Sequence, residues 1–310
     1  MAFRKNDAVF ISLSEILISL MKKIIIFGAN GQLGKSFRLI KDKMFVFKFL
    51  TKSQCDILDF KKVVKKINYF KPDFIINCAA FTNVDLCEVE KAEALKVNSF
   101  AILNILKILE EKNIKFVQIS TDYVFNGKLS KNSSYKENDH PNPINFYGFS
   151  KLLAENFILN SKVFKKCIIL RTSWLYSTFS KNFFNFVMNK IKNNLNCNII
   201  KNNFGSPSSC HALAENIINI LKQDFKNGLY HITDDVNLSR FEFAKLILNV
   251  YKKYKKTNAK IFPINYKHLK NVAPRPKNSS LNIKKIKKFY KIKNHSLFNN
   301  VDKIIRHSFI

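Results

Sequence analysis

The sequence predicts an α/β protein built on a doubly wound parallel sheet. Two observations carry that class. Apolar strand-like runs alternate with amphipathic helical stretches along the first half of the chain, and three of only seven glycines crowd one strand-to-helix turn. A third sets the scale: 310 residues with 46% hydrophobic content can bury one large core or two modest ones. The same figures exclude a disordered chain and a disulfide scaffold.

The elements follow in order. Lys23 to Phe27 reads as the first strand, and the turn Gly28, Gly31, Gly34 leads into an amphipathic stretch through Leu33, Phe37 and Ile40. Phe45 to Leu50 is a second strand, Phe60 to Tyr69 a helix, Phe74 to Asn77 a strand, and Lys91 to Glu111 one longer helix. Phe116 to Ser120, a helix over 151–160 and the strand Cys167 to Leu170 complete the alternation. Beyond it, Asn182 to Asn193 and Ser239 to Asn249 are expected as helices, with a strand near Asn198 to Ile200 returning to the sheet.

In such sheets ligands sit beyond the C-terminal strand ends, where Gly28, Ala79-Ala80 and Ser120-Thr121 all fall. A helix N-terminus offers unpaired N–H groups and a positive dipole end to a pyrophosphate, and glycines let the backbone come close. The spacing here is GxxGxxG, which departs from the commoner GxGxxG and is weak evidence alone.

Tyr147 and Lys151 lie four apart at a predicted helix start, so both project from one face. A tyrosine with its ordinary pKa of about 10 is a poor acid at neutral pH, and a fixed ammonium nearby stabilises the phenolate. Thr121, at a neighbouring strand end, can complete a relay to a carbonyl under reduction. The YxxxK spacing recurs by chance in any lysine-rich chain. The order of glycine turn, strand-end hydroxyl and YxxxK is what carries the argument.

With those motifs in that order, the chain resembles the extended short-chain dehydrogenase/reductases and, within them, the dTDP-4-dehydrorhamnose reductase family over about residues 21 to 285. The likeness runs through Gly28 to Gly34, Asn77 to Asp85, Ser120 to Gly127, Tyr147 to Lys151, Arg171 to Tyr176, Gly205-Ser206-Pro207 and Arg275 to Ser279. It implies a Rossmann-type NAD(P)-binding domain over 21–170 and a smaller C-terminal substrate-binding lobe over most of 171–310. It further implies reduction of the 4-keto group of a dTDP-6-deoxyhexose. Gly28, Gly31, Gln32, Leu33, Gly34, Asp56, Ile57, Ala79, Ala80 and Phe81 match cofactor contacts. Tyr147 matches the proton donor, Lys151 the residue beside the nicotinamide ribose, Thr121 and Asp122 the substrate-facing pair, and Trp174 an aromatic substrate contact. The alternative reading of Trp174, the only tryptophan, is an ordinary core indole.

Three departures from the family pattern matter. Asn202-Asn203 stands where the family often has Asp-Gln before its Gly-Ser-Pro loop. The lysine-rich tail from Lys284 to Lys293 has no counterpart to an acidic cluster proposed in some members to hold Mg²⁺ at a dimer interface, so no metal is expected, and the chain is expected to be a monomer or homodimer. After the second strand, Leu50-Thr51-Lys52-Ser53 has no acidic residue in position to bind both ribose hydroxyls, which favours NADPH slightly over NADH. Two rivals share the scaffold: a nucleotide-sugar epimerase or dehydratase, and a non-catalytic dinucleotide-binding subunit like the methionine adenosyltransferase β subunit.

The formal charge of +31 suits polyanionic or phosphorylated partners, yet the lysines are scattered, with no basic helix or arginine-rich arm, so a solvated face is favoured over nucleic-acid binding. Six cysteines without a CxxC pair read as buried reduced thiols of a cytoplasmic protein. Ala8 to Leu20 is broken by Glu15 and too short to span a bilayer, so no membrane is expected, and residues 1–20 read as an extension or a misassigned start before Met21.

Overall fold

A computed structural model describes residues 21–265, 273–293 and 296–309, so the expectation for residues 1–20 lies outside the described residues. Five parallel strands follow in chain order: β1 (Lys22–Phe27), β2 (Phe45–Leu50), β3 (Phe74–Asn77), β4 (Lys115–Thr121) and β5 (Cys167–Thr172). A sixth, Gly228–His231, pairs parallel with β5, so that the sheet reads Gly228–His231, β5, β4, β3, β1, β2. Register is continuous across it, for example Ile25 against Ile75 and Ile75 against Phe116.

These strands are near-continuous apolar runs because both sheet faces are covered. Ile24 and Ile26 of β1 pack with Leu213 and Ile217 of the helix Cys210–Leu221. Ile25 and Phe27 pack on the opposite face with Ile102 and Ile105 of the helix Ala101–Glu111. A third apolar cluster, including Phe184, Val187, Phe243, Ile247 and Val301, lies among the later helices Phe183–Lys192, Arg240–Tyr251 and Leu297–Arg306.

The expected strand near Asn198 to Ile200 exists as Cys197–Ile200 but does not return to the main sheet; it pairs with Ile261–Ile264 in a separate two-stranded sheet. Cys197 and Ile199 are buried while Asn198 is exposed. Such a one-faced strand cannot sit in a sheet covered on both sides, whereas Leu229, Tyr230 and His231 are all buried and take that place.

The long helix expected over Lys91 to Glu111 is interrupted by a π-helical turn, Lys96–Phe100. The extra residue turns Asn98 and Ser99 onto the helix Phe146–Leu159. Asn98 Nδ2 donates to Ser150 Oγ at 2.9 Å, and Ser99 Oγ donates to the Ser150 carbonyl at 2.6 Å. That helix starts at Phe146, beside the expected Tyr147, because Asn145 caps it, accepting from Gly148 N at 2.8 Å. Tyr147 and Lys151 are thereby fixed on a braced helix. Among the described residues, no helix is long and apolar enough to cross a membrane.

Candidate active site

The first glycine turn is shaped for a close approach. Gly28 stands at φ +74°, and a Cβ there would come 2.5 Å from the Ala79 amide nitrogen. The following helix, Gln32–Phe37, has no side-chain cap and no acid in its first turn, so its leading N–H groups stay available to an anion. Gln32 bridges this turn to later segments: its Nε2 donates to the Leu175 carbonyl at 3.3 Å, and its Oε1 accepts from Asn182 Nδ2 at 3.2 Å.

Two adjoining cavities open at the C-terminal edge of the sheet and share Gly31, Cys78, Ala79 and Ala80 as lining. The larger, about 990 Å³, is lined by Gly28, Lys52, Asp56, Ile57 and Phe81 among others. The smaller, about 360 Å³, brings together Gln32, Leu33, Gly34, Thr121, Asp122, Tyr147, Lys151 and Trp174. Every residue assigned to the site from sequence therefore lines one cavity or the other. The glycine cradle and the pair of cavities fit an extended dinucleotide.

At the inner end, the Thr121 hydroxyl lies 3.2 Å from Asp122 Oδ1 and within hydrogen-bond reach of the Tyr147 hydroxyl. The Tyr147 ring packs edge-on against Tyr123, with centroids 5.9 Å apart. Burial pushes the Asp122 carboxyl up to about 6, opposed by the Ser279 and Thr121 hydroxyls and the Arg240 guanidinium.

Lys151 Nζ donates to the Ile119 carbonyl at 2.7 Å, and burial lowers its pKa to about 8 against the opposing charge of Glu155. Burial raises the pKa of the Tyr147 hydroxyl; the hydrogen bond with Thr121 opposes this and the Asp122 carboxylate adds to it. The bond to the Ile119 carbonyl fixes where the ammonium sits.

Sequence reasoning missed Arg240, which lines the smaller cavity. It stands first in the helix Arg240–Tyr251 behind a Ser239–Glu242 capping box, which marks the helix start but gives no sign that its first side chain turns to the site. Cys78, shared by both cavities, is half-buried, where the sequence reading takes all six cysteines as buried.

Comparison with known proteins agrees with this geometry. The family model described as the RmlD substrate binding domain matches residues 21–309. A dTDP-4-dehydrorhamnose reductase of Aggregatibacter actinomycetemcomitans is 32% identical over 281 residues, covering 88% of this chain and 94% of its own. The chain belongs to the dTDP-4-dehydrorhamnose reductase family. Solved structures of family members superpose closely. The Bacillus anthracis enzyme in complex with NADP has a TM-score of 0.85 at 29% identity, over 93% of this chain and 99% of its own. The Clostridium acetobutylicum ortholog also reaches 0.85, at 30% identity, over 93% and 100%.

Proposed function

We propose that this protein reduces the 4-keto group of dTDP-4-dehydro-6-deoxy-L-mannose to give dTDP-L-rhamnose, a precursor for cell-surface polysaccharide. The observation that carries the proposal is the convergence of Thr121, Tyr147 and Lys151 on a cavity that runs on into the glycine turn. NADPH bound along the two cavities would supply the hydride, slightly favoured over NADH. Gly28, Gly31, Gln32, Leu33 and Gly34 would hold its pyrophosphate, Asp56 and Ile57 its adenosine end, and Ala79, Ala80 and Phe81 would line the path between.

The chain's own groups do the rest. Thr121 hydrogen-bonds the substrate carbonyl oxygen and aligns it with Tyr147. Tyr147 gives its hydroxyl proton to that oxygen as the C4 carbon takes the hydride, so the ketone becomes an alcohol. Lys151 binds the nicotinamide ribose and stabilises the phenolate left behind. Asp122 and Trp174 contact the sugar. No residue forms a covalent bond, so catalysis is mainly positioning. Residues 21–170 then act as the cofactor domain and most of 171–310 as the substrate lobe. A cytoplasmic location accords with six free cysteines.

The test is incubation with NADPH and the keto-sugar. One NADPH consumed for each dTDP-rhamnose formed supports the proposal. Conversion of the sugar without net NADPH consumption would indicate an epimerase or dehydratase, and tight NADPH binding without turnover would indicate a regulatory binding module.

A further inference from the structure

Trp174 occupies an unusual position. Its backbone stands at φ +43°, in the left-handed region that bulky residues rarely adopt. Its indole passes so near Gly205 that a Cβ there would come 2.4 Å from the ring, so no larger residue fits at 205 without moving the indole. The chain thus accepts backbone strain and spends a scarce glycine to place one side chain at the cavity wall.

Arg240 supplies the remaining constraint. Its guanidinium carbon lies 3.6 Å from the centroid of the Trp174 ring and 4.8 Å from that of Phe183. The same guanidinium hydrogen-bonds the Tyr123 side chain and faces the Asp122 carboxyl, beyond the end of β4. The start of its helix is pinned: Ser239 N donates to Glu242 Oε2 at 2.6 Å, and Glu242 N donates to Ser239 Oγ at 3.1 Å. A planar cation stacked on an indole prefers a face-on geometry and resists rotation of the ring, which an ammonium cannot reproduce.

We propose that Arg240 is a positioning residue for the substrate: hydrogen-bonded to Tyr123 and facing the Asp122 charge on one side, it holds the Trp174 indole in the orientation against which the sugar packs. This rests on the reductase function for its substrate but not for its geometry. Tyr123 and Asp122 follow directly on Thr121, so the clamp ties the substrate wall to the strand end that carries the reacting hydroxyl. Loss of the clamp frees the indole and weakens sugar binding, while leaving the dinucleotide cradle and the Tyr147 proton untouched.

Because Trp174 is the chain's only tryptophan, emission excited beyond the tyrosine band reports on this indole alone. Arg240→Met keeps length and apolar contact but removes the planar charge; Arg240→Lys keeps charge without the plane. In Arg240→Met, without substrate, the emission is expected to move to the red and acrylamide quenching to rise. KM for the keto-sugar should increase about tenfold or more, with kcat within about threefold and NADPH affinity within about twofold of the parent. Arg240→Lys should shift the emission in the same direction and recover only part of KM. Parent-like emission in both variants overturns the proposal, whatever happens to KM, since Arg240 then does not hold the indole. Shifted emission with parent-like KM overturns it too. If Arg240→Met fails to bind NADPH and has not folded, Arg240→Lys decides by the same two readings. Should the parent protein itself not reduce the keto-sugar, the reductase function fails, and the fluorescence still decides whether Arg240 positions Trp174.

Discussion

Arg171 and Glu155 meet at 2.6 Å beneath the reacting end of the cavity, with side chains 3% and 0% exposed. Arg171 projects from β5, and Glu155 stands one helical turn beyond Lys151. Glu155 also accepts from the Ser120 hydroxyl, so one carboxylate joins the end of β4, the helix of Tyr147 and the next strand.

Glu155→Gln should destabilise the fold by about 3–5 kcal/mol, because the Arg171 charge would remain buried without its counterion. Denaturant unfolding of the two proteins measures it, and a loss below about 1 kcal/mol would mean that Arg171 finds another partner.

Lys151 sets an alkaline limit. Its pKa in the folded protein is lowered to about 8 by burial, so the ammonium proposed to hold the ribose is lost above that pH. The kcat/KM for NADPH, which reports the free enzyme, should fall on the alkaline side with an apparent pKa near about 8, and that limb should vanish in Lys151→Met. Stability moves the other way. Between about 8 and 10.5 the unfolded chain binds more protons at this residue than the folded one, so its contribution to stability improves as pH rises through that window.

Cofactor choice should depend only weakly on Lys52. Its side chain is 75% exposed and lies 3.9 Å from Asp56, which shares its charge. Lys52→Ala should reduce the NADPH preference by about two- to fivefold in competition with NADH, the size of an exposed ion pair. A tenfold preference for NADH in the parent, unchanged in Lys52→Ala, would place the ribose pocket on other residues.

Much of this was legible in the chain itself. Phe45–Leu50 and Phe74–Asn77 have the limits expected from their apolar runs; Phe74–Asn77 is buried throughout, as a strand covered on both faces must be, while the edge strand Phe45–Leu50 tolerates an exposed Lys48. Thr121, Tyr147 and Lys151 were legible because motif order constrains them even where each motif is common. Gly228–His231 was not, since a four-residue strand ending in Tyr and His carries no periodicity to read. Arg240 was hidden for a different reason: its partners Asp122, Tyr123 and Trp174 are brought to it only by tertiary packing. The π-turn left a trace in Asn98 and Ser99, two polar residues on an otherwise apolar helix face, that periodicity alone does not resolve.

Activity should survive EDTA. Among the described residues there is no group of three or more His, Cys, Asp or Glu placed to hold a metal ion, and the proposed proton and hydride transfers need none. Assay after dialysis against chelator checks this; loss of turnover restored by Mg²⁺ would reveal ligands outside this set.

The most direct test of the central claim is isotope transfer. With NADPH deuterated at the transferable position of the nicotinamide, the parent protein should place one deuterium on C4 of the rhamnosyl product. Tyr147→Phe should slow that transfer by about a hundredfold or more while binding NADPH within about twofold of the parent. Deuterium at another carbon, an unlabelled product, or a Tyr147→Phe protein working at the parent rate would contradict it.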